Sequence, residues 1–189
     1  GGANLMYQAE IFVDGGRTFA NQARLSAAGI PQIAVVHGAS TAGGAYLPGL
    51  SDYVVLVKNR SSIYLAGPPL VKAAIGEDAS DEELGGAQMH AEVTGLGEYL
   101  AEDDRHALGV ARQLVAGIFE QNPLHVRMNK HDVAIKTEVA KPPFDPDDLL
   151  GLMPAHHREP VDMREVMLRL VDGGALLQFK ALYGAATLC

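Results

Sequence analysis

The sequence is poor in cysteine and has no excess of basic residues. Cys189 is the single cysteine among 189 residues, so no disulfide bond can form within the chain, which fits a reducing compartment. The chain carries 15 Lys and Arg residues against 23 Asp and Glu residues, which gives a formal net charge of −8. That charge argues against electrostatic binding to nucleic acid or to an anionic membrane, although a local basic patch could still bind a phosphate group.

Long apolar runs are also absent, since none approaches the roughly 20 residues that span a membrane. The hydrophobic fraction of 48% and the charged fraction of 20% predict a folded domain with one sizeable core rather than a disordered chain. The chain opens abruptly at Gly1 and closes on 183–189, which has the pattern of an interrupted strand. We therefore expect a fragment or a truncated chain.

The motifs of metal and phosphate-loop sites are missing too. The seven histidines show no ligand spacing, and neither His-Glu-x-x-His nor Cys-x-x-Cys occurs. We therefore predict no metal site and interpret the histidines as surface or packed residues. A phosphate-binding loop would need Gly-Lys-Ser/Thr after its glycines, and none follows here.

Two candidate catalytic groups have simpler interpretations. Ser40 lies in Gly38–Ala42, which differs from a nucleophile elbow by an alanine at the last glycine position, so a turn or capping role is favoured. Asp103 and Asp104 could form a catalytic carboxylate pair. Their position at the start of a predicted helix favours capping instead.

Short strands and helices alternate along the chain, which predicts an α/β fold. The predicted strands are apolar and rich in β-branched residues, whereas the predicted helices show helical spacing or capping residues. The strands cover 32–36, 53–57 and 62–66, and the helices cover 19–28, 42–47, 70–75, 80–85, 103–118, 147–152 and 163–171. Prolines interrupt 120–160, which we interpret as a linker or a wrapping arm.

The segment richest in chemistry joins a buried strand to a glycine pair, Gly43 and Gly44, at a predicted helix start. Helix N-termini leave backbone N–H groups unpaired, and glycine allows a ligand to approach that backbone closely. Such donors can stabilise a developing oxyanion, for example that of a thioester enolate. The residues alone leave open the alternative that the pair only permits close packing of the helix on the sheet.

Several segments form an ordered series of motifs along the chain. They are Gly1–Leu5, Phe19–Ala23, Gly29–Val36, Thr41–Tyr46, Leu65–Ala74, Leu84–Ala87 and Phe179–Gly184. Together they resemble the carboxyltransferase (beta) subunit of biotin-dependent acyl-CoA carboxylases. The form Leu-Ala-Gly-Pro-Pro-Leu-Val-Lys at 65–72 is typical of the methylcrotonyl-CoA and geranyl-CoA branch. The resemblance is weakest at 122–160, and the departures from the family pattern are Gly15–Arg17, Ala39, Gly49 and Ala175–Gln178.

The resemblance implies a crotonase-like (ClpP/crotonase) fold, a spiral of ββα units. Residues 1–121 would form part of the N-terminal carboxyltransferase domain, on the acyl-CoA side. Residues 122–161 would form the proline-rich linker or wrapping arm, and residues 162–189 the incomplete start of the C-terminal domain. In the family that second domain receives biotin and supplies a second oxyanion pair, so this chain would carry only half of the active site.

The resemblance also implies a reaction, in which a carboxyl group moves from carboxybiotin to an acyl-CoA such as 3-methylcrotonyl-CoA or geranyl-CoA. The chain would be a component of a ligase complex, with biotin carried on a partner subunit or domain. ATP and Mg²⁺ would act only at the partner biotin carboxylase. The expected assembly is a homo-oligomer, a trimer or a hexamer, in the bacterial cytoplasm or the mitochondrial matrix. The alternatives are a non-catalytic assembly fragment and another crotonase-like enzyme, a decarboxylase or a hydratase.

By the same resemblance, Gly43 and Gly44 supply the backbone donors for the thioester oxyanion. The residues expected to border the acyl-CoA with them are Gly1, Gly2, Ala3, Ala42, Ala45, Tyr46, Gly67 and Pro68.

Overall fold

The chain folds into two compact units. The computed structural model describes residues 4–121, 140–156 and 158–184. Unit 1 comprises Gly1–Asn122 and Phe179–Ala185, and unit 2 comprises Pro123–Gln178 and Ala186–Cys189. Residues Phe179–Ala185, which directly follow Gln178 in the sequence, therefore belong to unit 1.

Two small parallel sheets form the frame of unit 1. Its strands are β1 (Ile33–Val36), β2 (Ala39–Thr41), β3 (Tyr53–Val57), β4 (Ser62–Tyr64) and β5 (Tyr99–Ala101). One sheet has the order β1-β3-β5, and β2 pairs with β4 in the other. The consecutive strands β1 and β2 thus lie in different sheets, and so do β3 and β4. The pair β3–β4 therefore repeats the arrangement of the pair β1–β2.

The first three predicted strands are confirmed, although the third ends at Tyr64 rather than at residue 66. Strands β2 and β5 were not predicted, because each has only three residues and is too short to show a period. The strand predicted at 183–189 lies outside the described residues from position 185 onward. Tyr183 itself closes a turn, since its N–H donates to the Lys180 carbonyl.

The helices of unit 1 connect and flank these strands. They are a 3₁₀ turn (Leu5–Tyr7), α1 (Gln8–Ala27), a 3₁₀ turn (Ala42–Ala45), α2 (Tyr46–Gly49), α3 (Pro68–Ile75), α4 (Asp81–Gly85), α5 (Ala87–Met89), a π-helical turn (His90–Thr94) and α6 (Asp104–Gln121). None of the described helices combines the length and the apolar character that a bilayer crossing requires.

Residues at the helix ends set several of these boundaries. Helix α3 has Pro68 in its first turn and ends at Gly76, whose φ of 77° is a left-handed conformation that glycine adopts readily. Helix α4 begins with the predicted capping box. The Ser80 hydroxyl accepts the Glu83 N–H, and the Glu83 carboxylate accepts the Ser80 N–H.

Helix α1 is longer than its predicted range of 19–28. It begins at Gln8 and continues through Gly15 and Gly16, although glycine costs about 1 kcal/mol inside a helix. Most of its residues are exposed, so its first half shows no clear apolar period from which a helix could be predicted. The predicted end is confirmed, because Gly29 follows with a φ of 70°.

The core of unit 1 lies on both faces of β3. One cluster contains Val36, Ala45, Val54, Leu56, Ile63 and Ala87. The other contains Val55, Val57, Ala101, Ala107 and Leu114. Successive strand residues point to opposite faces, so the four residues of Val54–Val57, each at most 1% exposed, fill both clusters. Burial on two faces explains the continuous apolar run of this strand.

The described part of unit 2 contains short helices and a buried arginine, Arg169. A 3₁₀ turn (Pro146–Asp148) leads into α7 (Leu149–Leu152), which confirms the short helix predicted there. Helix α8 (Met163–Met167) is shorter than predicted and gives way to turns before residue 171. Arg169 is 9% exposed, donates to the Glu165 carbonyl and carboxylate at 2.8 and 3.1 Å, and lies over the Phe144 ring at 4.9 Å. These contacts offset the cost of burying its charge.

Candidate functional site

The glycine pair lies in a tight turn between β2 and α2. Residues Ala42–Ala45 form the 3₁₀ turn, and Tyr46 closes it by donating its N–H to the Gly43 carbonyl. Ala42 has a φ of 50°, in a left-handed region that residues with a Cβ seldom adopt. Strained backbone of this kind is concentrated at functional sites.

Both glycines border open space. A Cβ at Gly44 would meet no described atom within 4 Å, and one at Gly43 would meet only Phe19 Cζ, at 4.0 Å. Close packing therefore does not require glycine at either position, and these contacts give no support to the packing alternative. The lack of side chains leaves the backbone of the turn open on this side.

The neighbours of the pair differ in what they can present. Ala45 is 7% exposed and belongs to the core, so its methyl group packs in the interior and is not presented to a ligand. Tyr46 is 51% exposed and its ring meets Phe19 edge to face, with the centroids 5.9 Å apart. Of these two residues, only Tyr46 offers a side chain at the surface of the turn.

A second predicted segment, Gly67–Pro68, follows the neighbouring strand. Strands β2 and β4 are parallel, with Thr41 beside Tyr64. The glycine turn and Gly67–Pro68 therefore both leave the carboxyl end of the same two-stranded sheet, the end at which ligands of α/β folds generally bind. Both predicted segments thus follow the same end of one sheet, whereas Gly1, Gly2 and Ala3 lie outside the described residues.

Helix α1 anchors the glycine turn through α2. Gln22 is 8% exposed and its Nε2 donates to the Leu47 carbonyl at 2.8 Å and to Ser51 Oγ at 3.3 Å. The Ser51 hydroxyl donates to the same carbonyl at 2.8 Å. Phe19 lies one helical turn before Gln22, so both contact the α2 region from one face of α1. Sequence reasoning did not assign this supporting role, although the i, i+3 spacing could have indicated it.

Comparison with known proteins decides the family. The sequence-family model of the carboxyl transferase domain matches residues 1–189 of this chain. The chain belongs to the carboxyl transferase domain family.

Relatives and solved structures agree with this membership. The biotin-dependent 3-methylcrotonyl-coenzyme A carboxylase beta1 subunit of Mycobacterium tuberculosis is 44% identical over 187 residues, which is 97% of this chain and 34% of that protein. The beta subunit of P. aeruginosa geranyl-CoA carboxylase is 49% identical, with a TM-score of 0.60 over 100% of this chain and 34% of that one. The transcarboxylase 12S structure with methylmalonyl-coenzyme A and methylmalonic acid bound is 30% identical, with a TM-score of 0.80 over 98% of this chain and 34% of that one. This chain thus spans about a third of the length of the curated relatives it matches.

These neighbours confirm the predicted fold class. The carboxyl transferase domain described here is a mixed helix and strand structure with parallel sheets, and its structural neighbours are carboxyltransferase domains with the crotonase-like fold.

A charged cluster in this carboxyl transferase domain ties strand ends to α6. His37, which follows β1, donates from Nδ1 to Asp104 Oδ1 at 2.7 Å, and Arg60, which follows β3, donates to Asp104 Oδ2 at 2.5 Å. The hydrogen bond from His37, and then the charge of Arg60, hold the pKa of Asp104 below its usual value. The cluster was not predicted, because its members are far apart in sequence.

The two aspartates at the start of α6 therefore have different roles. Asp103 accepts the His106 N–H at 2.7 Å, which confirms the predicted capping. For Asp104 that interpretation is wrong, because its two carboxylate oxygens accept from His37 and Arg60 instead.

His90 is a packed residue, as predicted. It is 8% exposed, its Nε2 donates to the Ile63 carbonyl at 2.7 Å, and its Nδ1 accepts from Thr94 Oγ1 at 2.8 Å. Both ring nitrogens are thus used within the fold. In the part of the chain that the structure describes, no three His, Cys, Asp or Glu side chains are arranged to hold a metal ion.

Proposed function

We propose that this chain is the acyl-CoA half of a carboxyltransferase, whose full-length protein moves a carboxyl group from carboxybiotin to an acyl-CoA. The observation that carries the proposal is the open glycine pair, Gly43 and Gly44, which follows the carboxyl end of β2 as Gly67–Pro68 follows that of the paired strand β4. Membership of the carboxyl transferase domain family supports the type of reaction.

The Gly43 and Gly44 N–H groups would donate to a thioester oxygen. The Gly43 N–H has no partner within the 3₁₀ turn, whereas the Gly44 N–H would be shared with the Thr41 carbonyl. Carboxyl transfer would replace a C–H proton of the acyl-CoA with the carboxyl group, and the biotin that gives up this group would gain the proton. In the enolate formed on the way, negative charge develops on the thioester oxygen. Fixed neutral donors stabilise this charge without having to reorganise as it forms. The remaining residues that would border the acyl-CoA are Gly1, Gly2, Ala3, Ala42, Ala45, Tyr46, Gly67 and Pro68.

The described residues fit an acceptor site for this chemistry. Gly44 has free space where a side chain would otherwise stand, so a thioester can approach the backbone. Bound carboxybiotin supplies the carboxyl group, and it would arrive on a partner subunit or domain. ATP and Mg²⁺ would act at the partner biotin carboxylase and have no role in this chain.

The names of the relatives support proposals for the substrate and the assembly of the full-length protein, and the family resemblance supports a division into domains. The names of the 3-methylcrotonyl-CoA and geranyl-CoA relatives support a branched enoyl-CoA, and the hexamer assembly named for transcarboxylase 12S supports a homo-oligomer, a trimer or a hexamer. The compartment would be the bacterial cytoplasm or the mitochondrial matrix. Residues 1–121, 122–161 and 162–189 would be the acyl-CoA domain, the arm and the start of the second domain.

The experiment changes Gly44 in the full-length protein and measures carboxylation of 3-methylcrotonyl-CoA and geranyl-CoA with the biotin-carrying partner. Gly44→Pro removes the N–H and should lower turnover by about 10²–10³-fold. Gly44→Ala keeps the N–H, and its Cβ would meet no described atom, so it should fold normally. Its methyl group would enter the space proposed for the thioester, so it should raise KM more than it lowers kcat. Circular dichroism of both variants checks that each is folded.

Other outcomes distinguish the alternatives. Near-normal turnover in a folded Gly44→Pro variant would count against the oxyanion role. A protein that assembles but binds no acyl-CoA in a calorimetric titration, with free CoA as the reference, would be an assembly module. Hydration of an enoyl-CoA, or loss of CO₂ from a carboxylated acyl-CoA, would indicate a hydratase or a decarboxylase instead.

A further inference from the structure

Tyr64 connects the two segments of the candidate site. It is the last residue of β4 and the register partner of Thr41, the residue directly before the glycine turn. It also lies three residues before Gly67. Because register partners in a parallel pair project to the same face of the sheet, the Tyr64 and Thr41 side chains lie on one face. Ile63 faces the core on the other side.

Two glycines leave room for the Tyr64 ring. A Cβ at Gly67 would lie 3.3 Å from Tyr64 Cε2, closer than an ordinary contact. A Cβ at Gly85 would lie 3.1 Å from Tyr64 Cδ1 and 2.1 Å from the Ile63 carbonyl oxygen. The ring is therefore held between the Gly67 turn and the end of α4, with little freedom to move toward either.

Asp81 fixes the far end of the side chain. The Tyr64 hydroxyl donates to Asp81 Oδ1 at 2.6 Å, and a hydrogen bond to a carboxylate is stronger than one between neutral groups. Asp81 is the first residue of α4, where the capping box of Ser80 and Glu83 holds the backbone. The hydrogen bond to Asp81 raises the pKa of Tyr64, so the tyrosine keeps the proton that it donates.

We propose that Tyr64 and Asp81 are positioning residues for the acyl-CoA site, and that their hydrogen bond fixes the spacing between the glycine turn and Gly67–Pro68. This inference rests on the proposed function, since the spacing matters because both segments border the thioester. Neither residue touches the reacting atoms. Their contribution is to keep the N–H donors of the turn at a constant distance from the opposite wall of the site.

The test uses the full-length protein with its biotin-carrying partner and measures kcat and KM for 3-methylcrotonyl-CoA. Tyr64→Phe keeps the ring and removes the hydrogen bond. It should lower kcat about tenfold, because a displacement of the order of 1 Å can cost about 10²-fold in rate. KM should change by less than about twofold, since the loss falls on the transition state. Asp81→Ala should behave alike, whereas Asp81→Asn keeps an acceptor oxygen and should recover most of the rate.

The double variant tests whether the two side chains act as one unit. Tyr64→Phe with Asp81→Ala should be no slower than either single variant, because the same hydrogen bond is lost in all three. The matched controls are Tyr183→Phe, whose ring packs on Gly95, and Asp78→Asn, whose carboxylate pairs with Lys72 at 2.6 Å. Both controls should keep wild-type kcat.

A kcat within twofold of wild type in Tyr64→Phe, or additive losses in the double variant, would overturn the inference. Amide hydrogen exchange at residues 42–45 and 65–67 supplies a readout that does not depend on turnover. Exchange at these amides should become faster in Tyr64→Phe. Unchanged exchange would refute the positioning role of the Tyr64–Asp81 hydrogen bond. Absence of carboxylation by the wild-type protein would contradict the proposed function. The exchange result would still decide whether the Tyr64–Asp81 hydrogen bond positions the two segments.

Discussion

Replacing Gly85 by alanine should destabilise the fold more than its single added methyl group suggests. Gly85 ends α4 and is buried. A Cβ built there would lie 2.1 Å from the Ile63 carbonyl oxygen and 2.9 Å from the Ile63 carbonyl carbon. Both of these atoms belong to the backbone of β4, so no side-chain rotation can relieve the clash. Either β4 or α4 must shift by roughly 1 Å to reach an ordinary contact.

The expected cost follows from that geometry. Extra methylene-sized volume in a packed core costs about 1–3 kcal/mol, and a backbone obstacle places Gly85→Ala near the upper end, about 3 kcal/mol. For a chain of this size, 1 kcal/mol corresponds to about 2–4 °C in Tm, so Tm should fall by roughly 6–12 °C. Thermal and urea unfolding followed by far-ultraviolet circular dichroism would measure both quantities.

Gly109→Ala is the matched control for this prediction. Gly109 lies inside α6, where a Cβ would meet no described atom within 4 Å. Alanine is favoured over glycine in a helix interior by about 0.5–1 kcal/mol, so this variant should be slightly more stable than wild type. If Gly85→Ala were as stable as Gly109→Ala, α4 and β4 would not approach so closely in solution, and the reasoning would fail.

Two further predictions concern the core and the charged cluster. Leu56→Ala removes a side chain that is 0% exposed and should cost about 2–5 kcal/mol in urea unfolding, whereas Leu70→Ala, at a side chain 58% exposed, should stay within about 0.5 kcal/mol. Asp104→Asn removes a carboxylate whose pKa is lowered in the folded state, first by the hydrogen bond from His37. The stability that Asp104 adds is present above its unfolded pKa and is lost as pH falls through its lowered folded pKa. The urea midpoints of wild type and Asp104→Asn should therefore differ at pH 7 and converge in acid; a constant difference would contradict the assignment.

Sequence patterns within a few residues predicted those helices and strands whose boundaries are set by neighbouring residues in the sequence. The capping box at Ser80 and Glu83 and the proline at the start of α3 act within one helical turn. Helix α4 begins where expected, and α3 begins at Pro68, two residues before its predicted range. The continuous apolar run of β3 likewise follows from burial on both faces. The alternation of these elements predicted an α/β fold, whereas the crotonase-like fold was implied by the series of motifs, because sheet order depends on contacts between distant residues.

The contacts that sequence reasoning missed are the distant ones. The hydrogen bond of Tyr64 to Asp81 joins the end of a strand to the start of a helix 17 residues later, and that of His37 to Asp104 spans 67 residues. No periodicity connects such residues, since each pair meets only after the sheets have formed. The turn or capping role predicted for Ser40 is wrong, because Ser40 lies in strand β2. Gln22 and Tyr64 carry no such local signal, because their roles depend on neighbours that are distant in sequence.

The glycine turn depends on those neighbours because fixed donors need a rigid frame. Two glycines in sequence are flexible, so Gly43 and Gly44 hold their N–H groups in place only if both ends of the turn are held. At one end, β4 pairs with β2 directly before Ala42. At the other, Phe19 and Gln22 anchor α2. If the glycine turn binds an acyl-CoA as proposed, these neighbours order its donors, and substitutions at Gln22, which is 8% exposed, should weaken that binding.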